Sequence, residues 1–286
     1  MINILVTGAK GQLGNELQKL SVNYNCFLFY FTDIDTLDIT NPDDLSKFFT
    51  DNNIDYIVNC AAYTAVDKAE SEAGTAHLIN CDAVKNLVRE ALKHNSKLIH
   101  ISTDYVFDGN ACQPYTEDMK TNPQSVYGTT KLEGEREALS YANAIVIRTS
   151  WLYSTFGNNF VKTMLRIGRE RDELRVIFDQ VGTPTYAEDL AEAILKIINF
   201  TEKKKLISGI YHFSNEGVCS WYDFAWEIIN FSNINCKVIP IESSQYPSIT
   251  KRPFYSVLNK NKVKTIFDLE IPNWKSSLYK CLAEKL

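Results

Sequence analysis

A glycine triplet near the start of the chain constrains the fold more than any other feature of the sequence. The apolar run NILV leads directly into TGAKGQLG, which places Gly8, Gly11 and Gly14 ahead of the amphipathic segment NELQKL. Gly8 permits a tight turn, Gly11 lets the backbone approach a pyrophosphate, and Gly14 lets the following helix pack on the strand. We therefore predict a dinucleotide site whose phosphates face the free N–H groups of a helix N-terminus.

Short apolar runs alternate with amphipathic segments through the first half of the chain. The runs are CFLFYFTD, YIVNCAA, KLIHIST and AIVIRTSWLY, and a long helical pattern extends from about Asp67 to Asn95. Strands that are apolar on both faces are typical of a parallel sheet covered by helices on each side. The predicted fold class is α/β, a doubly wound, Rossmann-like parallel sheet.

Beyond residue 150 the alternation becomes less regular. GNNFVKTMLRIGRER and YAEDLAEAILKIINF indicate helices, whereas RVIFDQ and GIYHFSN indicate strands. We predict a smaller C-terminal α/β substrate lobe at the carboxyl edge of the sheet. The two domains are interleaved: 1–150 and 176–215 form the dinucleotide-binding domain, and 151–175 and 216–286 form the substrate lobe.

Composition restricts the partners of the protein. The 286 residues carry a formal charge of −5 with scattered signs, so no basic face for nucleic acid is expected. The start MINILVTGAKG has no positive region typical of an export signal, and no apolar run approaches the roughly twenty residues that cross a bilayer. We therefore expect a soluble, cytoplasmic protein that contacts neither nucleic acid nor membrane.

The cysteines and histidines indicate packing rather than metal binding. The seven cysteines are widely spaced without a C-x-x-C pair, so we expect neither a disulfide framework nor a zinc site. Cys26 and Cys60 resemble small buried hydrophobic residues. His100, inside KLIHIS, is interpreted as a hydrogen-bonded strand residue rather than a base.

An acid follows the second predicted strand at the distance expected for a ribose contact. Asp33 lies about twenty residues beyond Gly14, where a carboxylate accepts a ribose 2′-hydroxyl and opposes a 2′-phosphate. This position favours NADH over NADPH. The segment TDIDTLD also contains Asp35 and Asp38, so either of these can be the contact, and the acids can equally be loop charge.

The segment SVYGTTKLEGE places Tyr127 four residues before Lys131. On a helix these residues share a face, and a nearby ammonium can supply the roughly 4 kcal/mol that lowers a phenol pKa from near 10 to about 7. With fifteen tyrosines, about one such pair arises by chance in a chain of this length. The alternative is therefore an ordinary surface pair.

The strand KLIHISTDYVFDG ends in Ser102 and Thr103, before Tyr127 in the sequence. Reactive groups of a doubly wound sheet collect at the carboxyl ends of strands, beside a bound nicotinamide. We assign Ser102 to the cofactor site, Thr103 to donation of a hydroxyl hydrogen to a substrate carbonyl, and Tyr127 to delivery of a proton. The segment STD also fits a helix cap or a turn.

Several long motifs together identify a resemblance to a known family. TGAKGQLG, NCAAYTAVDKAE, STDYVFDG, VYGTTKLEGE, RTSWLY, GNNFVKTML and DQVGTPTYAEDLA resemble the extended short-chain dehydrogenase/reductases, and among them the dTDP-4-dehydrorhamnose reductases. The match runs from residue 1 to about 195, with weaker matches in KRPFYSVL and near NWKSSL. The resemblance implies reduction of the C4 ketone of dTDP-4-dehydro-6-deoxy-L-mannose to dTDP-L-rhamnose by NADH or NADPH.

The resemblance also implies residue roles. Tyr127 would be the proton donor, and Lys131 its electrostatic partner and a ligand of the nicotinamide ribose. The other implied cofactor contacts are Gly11, Gln12 and Leu13 in the phosphate loop, Asp38 and Ile39 near the adenosine, and Ala62, Tyr63 and Thr64 after the third strand. The implied substrate contacts are Thr103, Asp104 and Trp151. The indole of Trp151 would wall the sugar site, or it packs in the core.

Three points stay open at this level. Some members of the family are dimers with Mg²⁺ held by glutamates, and Glu16, Glu188 and Glu284 lie at comparable motif positions, although solvated helix charges explain them equally well. A homodimer is therefore a further expectation, and no metal ligand is assigned. Another nucleotide-sugar reductase or epimerase would share the same residues. A non-catalytic regulatory subunit of this fold would not need Thr103, Tyr127 and Lys131 together.

Overall fold

The computed structural model describes residues 1–204, 207–246 and 248–284. The strands are β1 (Ile2–Thr7), β2 (Phe27–Phe31), β3 (Tyr56–Asn59), β4 (Lys97–Thr103), β5 (Ala144–Thr149), β6 (Leu152–Tyr153), β7 (Glu173–Ile177), β8 (Val181–Gly182), β9 (Thr185–Tyr186), β10 (Gly209–His212), β11 (Cys219–Ser220), β12 (Lys237–Ile241) and β13 (Tyr255–Ser256). The helices are α1 (Gln12–Ser21), α2 (Pro42–Asp51), α3 (Val66–Ala69), α4 (Ala73–His77), α5 (Ala83–His94), α6 (Val126–Leu139), α7 (Phe160–Glu170), α8 (Ala187–Lys203), α9 (Trp221–Phe231), α10 (Asn261–Phe267) and α11 (Trp274–Ala283).

Within the described residues, six strands form the main sheet in the order β10-β5-β4-β3-β1-β2. Each neighbouring pair is parallel. The chain leaves β1 toward β2 on one side and then continues from β3 on the other side. Ligands of open parallel sheets bind at the carboxyl ends of strands beside such a reversal. The predicted doubly wound α/β class is confirmed.

Side-chain alternation along β1 explains its unbroken apolar run. Ile4 and Val6 belong to a buried cluster shared with α1 and α8, whereas Leu5 belongs to a cluster shared with α2 and α5. Successive side chains of a strand point to opposite faces, so both faces of the sheet are covered. The rigid sheet therefore fixes the loops that follow its strands.

The long helix expected from about Asp67 to Asn95 is interrupted. Its segments are α3, α4, a π-helical turn over Leu78–Asp82, and α5. The π turn buries Asn80, whose side chain binds the backbone of Tyr63 through Oδ1 at 2.9 Å and Nδ2 at 3.2 Å. The interruption therefore has a positional role, because it ties this helical region to the loop after β3.

A second lobe is built from short strands and the helices α7, α9 and α11 around its own apolar core. Strand β7 pairs with β12, and β8 lies between β11 and β13. Strand β8 and the last two residues of β7 thus pair with strands of the tail, in a stretch that the sequence-based division assigned to the first domain. Residues 247, 285 and 286 of the predicted lobe lie outside the described residues.

Two expectations about single residues have different outcomes. His100 is buried, and its Nδ1 lies 3.0 Å from Nδ2 of Asn59, which confirms the hydrogen-bonded strand residue. Cys26 is exposed and Cys60 half-buried, so the expectation of two buried thiols is wrong for Cys26. Cys26 precedes β2, which is an edge strand of the main sheet.

In the described ranges, no helix has both the length and the apolarity to cross a membrane.

Candidate active site

A cleft of about 770 Å³ opens at the carboxyl ends of the central strands. The glycine turn after β1 lines this cleft, and so do Tyr127 and Lys131. The cleft is lined by the following predicted residues: Gly8, Gly11, Gln12, Leu13, Gly14, Asp33, Asp38, Ile39, Ala62, Thr64, Ser102, Thr103, Asp104, Tyr127, Lys131 and Trp151. The fold therefore brings together residues that are far apart in the sequence.

The glycine turn leaves no room for side chains. Gly8 has a φ of 65°, and a Cβ there would lie 2.7 Å from Cα of Ala61. A Cβ at Gly14 would lie 2.4 Å from the carbonyl oxygen of Gly8. Gly11 is the N-cap of α1 and supplies no side-chain cap, so the first-turn N–H groups stay open toward the cleft. This geometry fits the pyrophosphate of a dinucleotide.

The three acids after β2 have different surroundings. Asp33 lines the cleft, and its carboxylate accepts hydrogen bonds from the backbone N–H of Lys10 at 2.8 Å and of Ile34 at 2.9 Å. Asp38 also lines the cleft and binds its own loop. Asp35 pairs with the ammonium of Lys10 at 2.6 Å and does not line the cleft. Asp33 and Asp38 are thus the two acids placed for a ribose contact.

The loop after β3 forms one wall of the cleft. Ala62 and Thr64 line it, but Tyr63 does not. The phenol of Tyr63 instead donates to Oε2 of Glu72 at 2.7 Å, while Asn80 holds the Tyr63 backbone. The Tyr63 side chain is thus engaged by Glu72, and a cofactor contact by Tyr63 stays a prediction.

Tyr127 lies in the first turn of α6, where Ser125 caps the helix by accepting from the N–H of Gly128 at 3.1 Å. A Cβ at Gly128 would lie 2.3 Å from the carbonyl oxygen of Tyr105, so the helix begins directly against the turn that follows β4. The rings of Tyr105 and Tyr127 meet edge to face at 5.4 Å. The Tyr127 phenol is consequently buried beside the end of β4.

The pKa of Tyr127 is raised, not lowered as expected from the sequence. Burial is the largest cause, and the charge of Asp104 and the neighbouring Tyr105 add to it. The hydroxyl of Thr103 partly offsets the increase. Lys131 is not among the groups that shift the pKa of Tyr127. The lowering of this pKa to about 7 that was expected from the sequence is therefore wrong for the protein without a bound cofactor. The physical reason is that desolvation of the buried phenol outweighs the other contributions.

Lys131 is anchored by the backbone. Its Nζ donates to the carbonyl oxygen of Ile101 at 2.6 Å, and the side chain is buried. Burial lowers the pKa of Lys131 to about 8, opposed by the charge of Glu135. Glu135 is itself bound by two hydrogen bonds from Arg148, at 2.8 and 2.7 Å. The ammonium is thus fixed at the carboxyl end of β4.

Thr103 and Asp104 form a polar pair at the same strand end. Thr103 Oγ1 donates to Asp104 Oδ1 at 3.0 Å and accepts from the N–H of Tyr105 at 3.2 Å, so it also caps the turn. Burial raises the pKa of Asp104 to about 6, against the hydroxyls of Ser256 and Thr103. Among the described residues, Asp104 Oδ2 and Ser102 Oγ are buried without a hydrogen-bond partner. Both residues therefore offer polar atoms to a ligand.

A loop that was not predicted from the sequence to be part of the site also lines the cleft. Gly157, Asn158 and Asn159 lie there, and Asn159 Nδ2 donates to Oε1 of Gln12 at 3.0 Å. Asn159 also caps α7 by accepting from the N–H of Lys162. The segment GNN ahead of a helical pattern is an N-cap signal, but its contact with the phosphate loop is not visible in the sequence.

The three glutamates considered for Mg²⁺ surround a lysine. Lys19 Nζ lies 2.8 Å from Glu188, 2.7 Å from Glu284 and 3.9 Å from Glu16. Lys280 binds the other Glu188 oxygen at 2.7 Å. In the described part of the chain, Glu16 Oε2 is the one oxygen of the three carboxylates without a hydrogen-bond partner, and it lies 3.9 Å from the same Lys19 ammonium. The Lys19 ammonium thus takes the position of a cation among the three carboxylates, so this cluster does not fit Mg²⁺ as folded.

Comparison with known families shows which family the chain belongs to. The family model described as the RmlD substrate binding domain matches residues 2–286. The chain belongs to this family. Among RmlD-family relatives, a dTDP-4-dehydrorhamnose reductase of Aggregatibacter actinomycetemcomitans is 40% identical over 287 residues, covering 97% of each chain.

Solved structures agree with this membership. A dTDP-4-dehydrorhamnose reductase from Clostridium acetobutylicum is 44% identical, with a TM-score of 0.93 over 99% of each chain. A dTDP-4-dehydrorhamnose reductase from Bacillus anthracis, solved in complex with NADP, is 37% identical with a TM-score of 0.93 over 100% of each chain. The resemblance inferred from the motifs is confirmed, and it extends through the tail.

Proposed function

We propose that the protein reduces the C4 ketone of dTDP-4-dehydro-L-rhamnose to give dTDP-L-rhamnose, with NADH or NADPH as the reductant. One observation carries the proposal: a continuous cleft joins the glycine turn after β1 to Thr103, Tyr127 and Lys131. The RmlD-family relatives named as dTDP-4-dehydrorhamnose reductases support the choice of substrate. The relative solved with NADP supports the class of cofactor.

The residues of the cleft divide the reaction between them. A reduced nicotinamide dinucleotide, with its pyrophosphate at the N-terminus of α1, supplies the hydride that adds to C4. Tyr127 gives its phenol proton to the former carbonyl oxygen, which becomes the C4 hydroxyl. The raised pKa of Tyr127 keeps this proton in place at neutral pH. A sugar alkoxide is a much stronger base than a phenolate, so a weak acid is sufficient.

Lys131 and the Thr103–Asp104 pair support this proton transfer. The ammonium of Lys131, held at Ile101, can bind a ribose hydroxyl of the cofactor and so orient the nicotinamide beside Tyr127. When Asp104 is ionised, Thr103 donates to it and presents only lone pairs to a ligand. Protonated Asp104 can donate to Thr103 instead, which frees the Thr103 hydrogen for the ketone oxygen.

Cofactor choice rests on two neighbouring groups of opposite charge. Asp33 at the edge of the cleft opposes a 2′-phosphate, whereas the Lys10 ammonium nearby would attract one. We propose that both reduced dinucleotides are accepted, with Asp33 accounting for use of NADH. Parallel titrations with the two cofactors measure the balance.

The decisive assay combines the purified protein with dTDP-4-dehydro-L-rhamnose and either NADH or NADPH. We expect loss of the reduced-nicotinamide absorbance in proportion to the ketosugar added, and dTDP-L-rhamnose as the product. An epimerase would convert the sugar without net consumption of reduced cofactor. A regulatory subunit would bind the dinucleotide and turn over nothing. Either result would refute the proposed reaction.

A cytoplasmic location and a homodimer stay predictions from the sequence. Sedimentation measurements test the oligomeric state.

A further inference from the structure

The backbone of Trp151 is held in an unfavourable conformation at the edge of the cleft. Its φ is 49°, in the left-handed region that bulky aromatic residues rarely adopt. Two hydrogen bonds fix the flanking backbone. Ser150 Oγ donates to the carbonyl oxygen of Thr183 at 2.8 Å, and the N–H of Thr185 donates to the carbonyl oxygen of Trp151 at 3.1 Å. Such strain persists where the surroundings over-determine the position of a residue.

Two residues of the second lobe determine where the Trp151 ring lies. The Trp221 indole stacks on it with a centroid distance of 3.6 Å and an interplanar angle of 10°. Gly182 meets the edge of the ring, because a Cβ there would lie 2.7 Å from Cε2 and 2.8 Å from Cζ2 of Trp151. The ring is therefore confined on one face and along one edge, and its remaining surface lines the cleft.

Both confining residues are themselves well anchored. Trp221 opens α9 directly after Ser220, which forms a reciprocal capping box with Asp223. Phe160 packs against the Trp221 ring with centroids 4.6 Å apart. Gly182 lies in β8, between β11 and β13. The position of the Trp151 ring is thus set by the second lobe, although only Ser150 separates the residue from β5 of the main sheet.

We propose that Trp221 and Gly182 are positioning residues that hold the Trp151 ring as the apolar wall against which the sugar of the nucleotide-sugar substrate packs. This inference rests on the proposed reductase function and adds two residues to its substrate site. An indole face suits the apolar side of a deoxysugar ring. Neither positioning residue lines the cleft that contains the glycine turn, so we expect the effect on substrate recognition and not on cofactor binding.

The test uses Trp221→Leu, which keeps an apolar side chain but removes the stack, and Gly182→Ala, which pushes on the ring while keeping both indoles. Trp221→Phe is the conservative variant. Trp226→Phe is the control, because Trp226 lies on the same helix and is 45% exposed. For each variant, KM for the ketosugar, kcat, the Kd for NADPH and the near-ultraviolet circular dichroism are measured.

We expect Trp221→Leu and Gly182→Ala to raise KM about tenfold, with kcat and the NADPH Kd changed less than about twofold. Trp221→Phe should restore most of the KM, and Trp226→Phe should match the wild type. The near-ultraviolet circular dichroism of the Trp151–Trp221 stack, the stacked-indole signal, should be lost in Trp221→Leu and altered in Gly182→Ala.

Two results would overturn the inference while leaving the reductase function intact. One is loss of the stacked-indole signal with KM unchanged. The other is a rise of similar size in both the KM for the ketosugar and the Kd for NADPH, which a merely structural residue would produce. If the wild-type protein itself fails to reduce the ketosugar, the proposed function is refuted, and the substrate role of the indole pair falls with it.

Discussion

Lys131 Nζ donates to the carbonyl oxygen of Ile101 at 2.6 Å, so the main chain of β4 determines where this ammonium lies. The position does not depend on the Tyr127 phenol. Burial acts on both groups, lowering the pKa of Lys131 and raising that of Tyr127. Each group is thereby biased toward its neutral form, and the pair meets the substrate with the phenol proton still bound.

Replacing Tyr127 by Phe removes the proton donor and leaves the ring that packs on Tyr105. We expect kcat for the ketosugar to fall roughly a hundredfold or more, because general acid catalysis is lost. The Kd for NADPH, measured by fluorescence titration, should stay within about twofold. Tyr30→Phe, on the edge strand β2, is the control. Undiminished turnover in Tyr127→Phe would remove the role assigned to the phenol.

Asp104 predicts a pH-dependent effect on stability. Its folded pKa of about 6 lies above the usual value near 4, so the native state binds this proton more tightly than the unfolded chain does. The stabilisation that comes from holding this proton is therefore complete below pH 4, and the free energy of unfolding falls as the pH rises from about 4 to about 6. Asp104→Asn should raise the free energy of unfolding at pH 8 by about 2 kcal/mol and have little effect near pH 4.

Urea denaturation at the two pH values measures this difference, with the exposed Asp118→Asn as the control. A change of equal size at both pH values would show that ionisation of Asp104 is not its cause. We expect the same variant to reduce turnover, since Asp104 binds Thr103 in the cleft.

Arg148 and Glu135 form an ion pair that is buried on both sides, 2% and 1% exposed. Arg148→Ala leaves the Glu135 carboxylate unpaired in a dry interior, and we expect a loss of about 3–5 kcal/mol in the free energy of unfolding. The control is Arg166→Ala, which breaks an exposed pair with Glu170 and should cost less than about 1 kcal/mol. Equal losses from the two variants in urea denaturation would contradict the assigned burial cost.

Lys19 links α1 to glutamates of α8 and the C-terminal region. Lys19→Met leaves these carboxylates facing one another, and a loss of about 1 kcal/mol is expected for a partly exposed ammonium. Thermal melts with MgCl₂, against NaCl of equal ionic strength, should show Mg²⁺ stabilising this variant and not the wild type. The exposed Lys47→Met is the control. Specific stabilisation of the wild type by Mg²⁺ would contradict the ammonium-filled cluster.

The fold class and the glycine turn were predictable because their signals are local. The order of strand, turn and helix around Gly8 and Gly14 is written in fewer than twenty consecutive residues, and both faces of each strand are apolar. The helical spacing of Tyr127 and Lys131 likewise placed both residues on α6, and both line the cleft.

The remaining features depend on contacts between distant parts of the chain. The pKa of Tyr127 follows from how completely the fold dehydrates it, which no local pattern encodes. Asn159 meets Gln12, and Trp221 meets Trp151, only after the second lobe has packed on the first. Strand β8 pairs with β11 and β13 of the tail, and this long-range pairing is likewise not visible in the local sequence.

The position of β10 has a consequence for synthesis on the ribosome. Strand β5 receives its outer neighbour only from Gly209–His212, after the chain has left the main sheet to build α7 and several lobe strands. Until that segment emerges from the exit tunnel, the nascent sheet presents β5, an apolar strand, as an unprotected border. Such a border invites pairing with other nascent chains. Translation arrested before Gly209 should therefore yield chaperone-bound or aggregated intermediates, and arrest well after His212 should yield a compact one.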